Sequence, residues 1–299
     1  MRYEKYYQAI EALKKEKMHY TIQLLCDVAG VSKAGFYKWK NREDTPEDQF
    51  NKKVMEDIQD LHQERDGILG YRRMTTFLNR KYQKEKLDRI VNEKRVYRLM
   101  NLLGIKSVIR RKRNYNYKPS KGIHTAKNIL DRDFNASKSN EKWVTDVTEF
   151  KFGEGKKAYL SAILDLYDKR IVSYKLTRAN NNELVFDTVN EAISKLSNEY
   201  PLLHTDRGVQ YTSNGFRRIM ENAKLQHSMS RPGKCIDNGP IEGFWGTLKC
   251  EKYYLYTWGR SSFEQLEEAI DEYIHFYNYE RFQQNLDGLA PLEYTELSA

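Results

Sequence analysis

Apolar residues recur at helical spacing in the N-terminal third of the chain. After residue 21, one apolar stripe ends at Gly30, which supplies a turn, and Ser32 is a suitable N-cap for a second helix that ends at Lys40. A helix, a short glycine turn and a basic, aromatic helix predict a helix-turn-helix within residues 1–45. Helix pairs of this kind also occur as plain structural hairpins. If this one binds a DNA groove, the side chains placed to do so are Lys33, Tyr37 and Lys38.

A second helical module is predicted over residues 50–104, after a proline-containing linker at Glu43–Asp48. Its last helix, roughly Asn92–Leu103, has apolar side chains on one face and basic side chains elsewhere. The apolar stripe is a core face, and DNA contact by the basic face is an open alternative. Residues 105–140 show no periodicity and are predicted to form a basic, tyrosine-rich connector.

From residue 141 the pattern changes to alternating strands and helices. Trp143–Phe152 alternates with a period of two and predicts a strand, and Lys157–Leu166 and Arg170–Thr177 predict a hairpin after it. The elements that follow are a helix, a strand, a helix, a strand and a helix, at Asn182–Leu196, Pro201–Thr205, Ser213–Ala223, Gln226–Ser230 and Pro240–Lys249. This order predicts a mixed α/β core with a five-stranded sheet over residues 141–257 and a helical tail over residues 258–299.

Composition excludes a membrane-embedded protein. Of the residues, 31% are charged, and the longest apolar stretches fall far short of the roughly 20 residues that a span needs. Met1–Tyr20 is charged throughout, so no signal peptide is expected. The three cysteines form no CxxC pair, which indicates free thiols in a reducing cytosol.

The net charge of +9 is distributed unevenly. Residues 94–130 hold eleven bases and no acid, whereas residues 131–299 hold more acids than bases. A basic middle beside an acidic half is typical of a polyanion-binding segment joined to a metal-dependent catalytic region. A solvated basic linker is the alternative. Interleaved tyrosines favour nucleic acid, with the predicted DNA contacts at Arg110, Arg111, Lys112 and Arg113.

Three acids stand where chemistry could use them. Asp146 lies in the middle of the first strand, where a carboxylate needs a partner or a cation. Asp206 ends a strand and enters a glycine-containing loop, and Glu242 lies in the first turn of a helix. Taken singly, each has an ordinary structural explanation. However, 35 residues separate Asp206 from Glu242, a gap that is part of the family resemblance carried by the motifs around these acids.

The motifs around these acids resemble those of the retroviral-integrase-like DDE transposases. Within that superfamily the chain is most similar to the downstream reading-frame product of bacterial insertion sequences in the IS-three group. The matching stretches are Trp143–Thr148, His204–Tyr211, Ser228–Arg231, Asp237–Trp245 and Tyr277–Arg281, with Ala290-Pro291 beyond them.

The resemblance implies an RNase H-like catalytic core in which Asp146, Asp206 and Glu242 hold two Mg²⁺ ions, with Mn²⁺ as a substitute. It also implies DNA cleavage at the ends of the element, followed by attack of the freed 3′-hydroxyl on another phosphodiester. Lys249, seven positions after the glutamate and on the same helix face, is expected to contact substrate phosphate. Arg231 flanks the site and either contacts phosphate or is solvated.

The expected partners follow from the same resemblance. They are double-stranded DNA, as terminal inverted repeats and as target, and further copies of the chain assembled on that DNA. Fusion to, or association with, an upstream-frame product is a further expectation, and the expected location is the bacterial cytoplasm at the nucleoid. A catalytically silent DNA-binding regulator and a nuclease that cuts without joining remain alternatives.

Two neighbouring residues have open assignments. Asp165, near the end of the second strand, either neighbours the metal pocket or is structural. His204 either orients Asp206 through a hydrogen bond or is a core histidine. No set of histidines and cysteines in the N-terminal region has metal-ligand spacing, which favours a bacterial element over a retroviral enzyme.

Overall fold

The computed structural model describes residues 3–16, 19–109 and 126–298. The predicted DNA contacts at Arg110, Arg111, Lys112 and Arg113 therefore lie outside the described residues. The first module contains three helices: α1 (Glu4–Glu16), α2 (Ile22–Val28) and α3 (Lys33–Lys40).

The turn between α2 and α3 has the geometry that the sequence predicts for a helix-turn-helix. Gly30 lies between the two helices with a φ of +66°, a conformation that side chains rarely adopt. The Ser32 hydroxyl accepts a hydrogen bond from the Gly35 N–H at 3.1 Å and caps α3. The small core beneath consists of Tyr7, Ile10, Leu25, Cys26 and Phe36.

The second module consists of α4 (Pro46–Glu64), α5 (Tyr71–Lys84) and α6 (Glu93–Leu102). The linker prediction was wrong over its second half, because α4 begins at Pro46. Proline suits the first helical position, and Thr45 and Asp48 form a reciprocal capping box around it. Pro46 therefore begins a helix here and does not form the turn that was predicted from it.

The remaining described residues form a five-stranded mixed sheet with helices on both faces. The strands are β1 (Lys142–Phe152), β2 (Lys156–Asp165), β3 (Ile171–Thr177), β4 (Leu202–Thr205) and β5 (Gln226–Met229). Their order is β3-β2-β1-β4-β5, with β1–β3 antiparallel and β4 and β5 parallel to β1. The helices are α7 (Asn182–Ser194), α8 (Asn214–Asn222), α9 (Gly239–Glu251), α10 (Phe263–Tyr279) and α11 (Pro291–Ser298). This confirms the RNase H-like fold class and its element order.

The alternation along β1 divides the core into two layers. Val144 and Phe150 face the cluster that contains the apolar side chains of α9 and α10. Trp143 and Val147 face the opposite cluster, formed with α7 and α8. Asp146 has the parity of Val144 and therefore projects from β1 toward α9.

The end of the predicted connector packs against the sheet. Leu130 is buried, and the N–H groups of Ile129 and Leu130 both donate to the Ser228 hydroxyl, at 2.9 and 3.0 Å. The second module also contacts the C-terminal region, where the rings of Phe77 and Phe282 lie 4.7 Å apart. Among the described residues, no helix is long and apolar enough to cross a membrane.

Candidate active site

Asp146 lies on an edge of β1 that is left open by the short β4. β4 pairs with β1 only at Lys142–Val144, so Asp146 lies just beyond the end of β4. The Trp245 indole N–H, from α9, donates to Asp146 Oδ2 at 3.1 Å. The carboxylate is half-buried, and α9 fixes its orientation.

Asp206 follows β4 directly and so lies at the same end of the short strand. Its Oδ1 accepts the Gly208 N–H at 2.8 Å, which closes a tight turn. A side chain at Gly208 has no room, since its Cβ would lie 3.0 Å from Asp206 Oδ1 and 3.1 Å from Gln210 Oε1. The turn therefore holds the Asp206 carboxylate at the strand end.

Glu242 lies in the exposed first turn of α9, and the segment before this helix is anchored beside Asp146. The Asn238 side-chain amide donates to the Thr145 carbonyl at 2.9 Å. Asp237 is fully buried and accepts a two-pronged ion pair from Arg231, with both contacts at 2.8 Å. These contacts tie the start of α9, and with it Glu242, to β1.

The three carboxylates influence one another electrostatically. Burial raises the pKa of Asp146 to about 8, and the charge of Asp206 and, more weakly, that of Glu242 add to the rise. Burial also raises the pKa of Asp206. A divalent cation would relieve this crowding of negative charge, and carboxylate oxygens are the donors that Mg²⁺ prefers. The donor set therefore fits such an ion. Within residues 3–16, 19–109 and 126–298, however, no three or more His, Cys, Asp or Glu side chains are already gathered into a metal cage.

Lys249 lies beside the carboxylates, two turns along α9 from Glu242. Its ammonium donates to the Thr148 hydroxyl at 2.6 Å and lies 5.1 Å from the centre of the Phe150 ring. Burial lowers the pKa of Lys249, and the Asp146 charge opposes that effect. The Lys249 ammonium thus lies close enough to Asp146 for the two charges to interact.

Comparison with known proteins supplies the family. The family model for the integrase core domain matches residues 136–235, a second integrase core model matches residues 242–298, and a model for an HTH-like domain matches residues 49–113. A protein of Escherichia coli (strain K12), named "Putative transposase InsK for insertion sequence element IS150", is 37% identical over 95% of this chain and 97% of its own length. An uncharacterized transposase-like protein of Haemophilus influenzae is 44% identical over 68% of this chain and 93% of its own length.

The chain belongs to the insertion-sequence transposases. Among solved structures, the transposase is similar to the HTLV-2 integrase catalytic core domain in complex with magnesium. That likeness has 20% identity and a TM-score of 0.43, and it covers 54% of this chain and 99% of the other.

The other predicted DNA contacts of the transposase lie in different surroundings. Lys33, Tyr37 and Lys38 are exposed on α3, as a recognition helix requires. Arg231 is engaged with Asp237, although its side chain is still 44% exposed. The structure thus places α3 outside the carboxylate site and Arg231 at the loop that leads to it.

The two open assignments are decided by hydrogen bonds. Both ring nitrogens of the buried His204 contact serine hydroxyls, Ser228 at 2.9 Å and Ser230 at 3.0 Å, so His204 is a core residue. Asp165 is also fully buried, and it accepts the backbone N–H groups of Asn140 and Tyr167. The structural alternative therefore holds for both residues.

Sequence reasoning missed two residues that shape the site. Trp245 lies three residues after Glu242, and this spacing on a helix could have indicated a shared face toward β1. The burial of Asp237 was missed because, although Arg231 lies six residues earlier, its other partner, Arg132, is 105 residues away in the chain.

Proposed function

We propose that this transposase cuts DNA at the ends of its insertion sequence and joins the freed 3′-hydroxyl to another phosphodiester. Asp146, Asp206 and Glu242 would hold two Mg²⁺ ions, with Mn²⁺ as a substitute. One observation carries the proposal. The three acids come from a strand, a loop and a helix, and at the open edge of β1 burial raises the pKa of Asp146 and the charges of Asp206 and Glu242 act on it to raise that pKa further. When bound, the ions would activate the attacking oxygen and stabilise the leaving oxygen.

The chain's own side chains position these acids and the substrate. Trp245 holds the Asp146 carboxylate, and the Gly208 N–H holds that of Asp206. Lys249, whose ammonium donates to the Thr148 hydroxyl, would neutralise charge beside Asp146 and contact the phosphate that is attacked. Because catalysis by this arrangement consists of positioning and charge neutralisation, it needs neither a covalent protein–DNA intermediate nor a nucleotide cofactor.

The DNA partners would be the terminal inverted repeats of the element and a target duplex. The exposed α3 residues Lys33, Tyr37 and Lys38 are proposed to contact the major groove, and the exposed part of Arg231 a phosphate near the site. The sequence segment Arg110–Arg113 would add electrostatic affinity. Since two ends must be held together, we propose that several copies assemble on DNA at the bacterial nucleoid, alone or with an upstream-frame product.

The test is cleavage and joining of a labelled duplex that carries an inverted repeat flanking the reading frame. We expect nicked and branched joined products with Mg²⁺ or Mn²⁺ and none with EDTA. Asp146→Asn, Asp206→Asn and Glu242→Gln should each abolish both products while the DNA affinity changes little. Glu149→Gln is the matched control, because Glu149 lies on the same strand but pairs with Lys157 at 2.9 Å.

Four outcomes would contradict the proposal or part of it. Metal-independent products would remove the metal ions from the reaction, and full activity in Glu242→Gln would remove that residue from the site. Nicking without any joined product would identify a nuclease instead. Tight DNA binding with no nicking by the wild-type protein, alone or with the upstream-frame product, would identify a regulator.

A further inference from the structure

The open edge of β1 continues well beyond the carboxylates. In the part of the chain that the structure describes, no strand pairs with β1 on this side after Val144. The Tyr253 hydroxyl covers the edge at Lys151, where it accepts the backbone N–H at 3.0 Å and donates to the carbonyl at 2.9 Å. At about 3.3 Å per residue, the edge from Asp146 to Lys151 is about 17 Å long.

This edge leads to two clefts that flank the turn between β1 and β2. The smaller cleft has a volume of about 370 Å³, and Lys151, Tyr254 and Tyr256 are among its lining residues. The larger cleft, about 780 Å³, includes Lys156 and Lys157 in its lining. We call the open edge from Asp146 to Lys151, together with these two clefts, the edge track.

The walls of the edge track are fixed by backbone contacts. The Gly153 N–H donates to the Trp258 carbonyl at 2.9 Å, and the Glu154 N–H donates to the Gly259 carbonyl at 2.8 Å. A Cβ at Gly153 would lie 3.0 Å from the Ser261 carbonyl oxygen, so the two segments are in close contact. A ligand would therefore meet a preformed surface and lose little free energy in ordering it.

The charge along the edge track favours a polyanion. Two of its acids are already neutralised by a base, in the pairs Glu149–Lys157 and Glu264–Arg178. Lys151 and Lys156, which line the clefts, are exposed and have no ion-pair partner among the described residues. Among the residues that line the two clefts, four are bases (Lys151, Lys156, Lys157 and Arg178) and one is an acid (Glu264), while Asp66 lies beside them as the acceptor of the Tyr256 hydroxyl.

Exposed aromatic rings accompany these cations. Tyr254 is 57% exposed and Tyr256 is 45% exposed, so a ligand in the smaller cleft could reach both rings. Cations that neutralise phosphates next to rings that pack on sugars or bases are the combination that proteins use on nucleic acids.

We propose that the edge track is a DNA subsite that binds the phosphates of the duplex leading away from the scissile bond. Lys156 and Lys151 lie on opposite faces of the β1–β2 hairpin, so the duplex crosses the hairpin edge; each lysine neutralises one phosphate, and the tyrosines pack against the adjoining sugars. At 3.4 Å per base pair, a length of about 17 Å places the Lys151 contact about five base pairs from the bond that is cut. This inference rests on the proposed function, because it takes the three carboxylates as the point where the duplex is cut.

The first test is the salt dependence of binding to the inverted-repeat duplex by Lys151→Ala, Lys156→Ala and the double variant. Each lost phosphate contact should reduce the slope of log K against log salt by about 0.9, and the double variant by about 1.8. Lys138→Ala is the control, since Lys138 is exposed near the opposite end of β1 and should leave the slope unchanged.

The second test locates the contact by shortening the DNA. Duplexes are truncated to three base pairs on one side of the scissile bond or on the other. On one of these two substrates the variants and the wild type should bind equally, because the phosphates that Lys151 and Lys156 contact are missing. On the other substrate the full difference in affinity should persist.

The possible failures can be told apart. If the wild-type protein cuts with Mg²⁺ but the double variant keeps the wild-type slope, the subsite is refuted and the proposed function stands. A reduced slope that persists on both truncated duplexes also refutes the subsite, because the lysines then contact other DNA. If the wild-type protein does not cut DNA at all, the proposed function fails. The edge track is then refuted as a subsite for the duplex beside a scissile bond, because no bond is cut at the carboxylates.

Discussion

Asp146→Asn should make the metal-free protein more stable while it abolishes catalysis. A carboxyl group whose pKa is raised on folding does not destabilise the protein at a pH below its pKa in the unfolded state. As the pH rises from that pKa to the pKa in the folded state, ionisation makes folding progressively less favourable. For Asp146 this window runs from about 4 to about 8. A rise of this size corresponds to about 6 kcal/mol if all of it opposes folding. Solvent contact of this half-buried side chain screens its charge, and we expect about 2 kcal/mol.

The measurement is urea and thermal unfolding in EDTA at pH 5 and pH 9. At pH 9 the free energy of unfolding of the variant should exceed that of the wild type by about 2 kcal/mol, which corresponds to about 5 °C in Tm for a domain of this size. At pH 5 the difference should be much smaller. Asp237→Asn is the control of opposite sign, because the Arg231 hydrogen bonds and charge hold the pKa of Asp237 well below its usual range. It should lose stability at neutral pH. A variant at Asp146 that is less stable than the wild type at pH 9 would refute the electrostatic reasoning.

Three further predictions follow from single contacts. Trp245→Phe removes the hydrogen bond to Asp146, which is worth about 1.5 kcal/mol. Cleavage at limiting Mg²⁺ should therefore slow about tenfold and recover at high Mg²⁺. An unchanged Mg²⁺ dependence would count against a positioning role for Trp245. Glu251→Ala leaves two arginines without their buried partner and should cost about 3–5 kcal/mol in urea unfolding, whereas a loss below 1 kcal/mol would show that the arginines find other partners. Gly208→Ala should displace the Asp206 carboxylate and lower the cleavage rate with little change in Tm, and wild-type kinetics would mean that the turn relaxes freely.

The elements that the sequence predicted well are those with a local signal. The period of two along β1 fixes which side chains share a face, and Asp146 projects toward α9 as that alternation requires. Helix ends also carry their own markers, such as the Ser32 cap of α3 and the proline near the start of α9. Motif spacing then indicated the acids without any knowledge of distances.

Contacts between distant segments had no such signal. The alternation shows that His204 faces inward but does not show that two serines from β5 and the residue after it satisfy both ring nitrogens. The same is true at shorter range for Arg231. Its positive charge suggested a contact with substrate phosphate, whereas in the folded chain it pairs with the buried Asp237, six residues later. A polar residue near a site can bind substrate or stabilise the loop that carries the site, and only the packing distinguishes the two.

The C-terminal end of α9 shows how far the site depends on the rest of the chain. Glu251, nine residues after Glu242 on the same helix, is buried and accepts Arg281 at 2.8 and 2.9 Å and Arg73 at 3.0 Å. Arg73 belongs to α5 of the second helical module, so a residue of that module fixes one end of the helix that carries a candidate catalytic acid at its other end. Because a packed helix moves largely as a rigid body, a displacement of α5 at Arg73 would reach Glu242 through α9. The three acids are therefore set by β1, by the turn after β4 and by the docking of the helical module together, which is why no local stretch of sequence can specify their geometry.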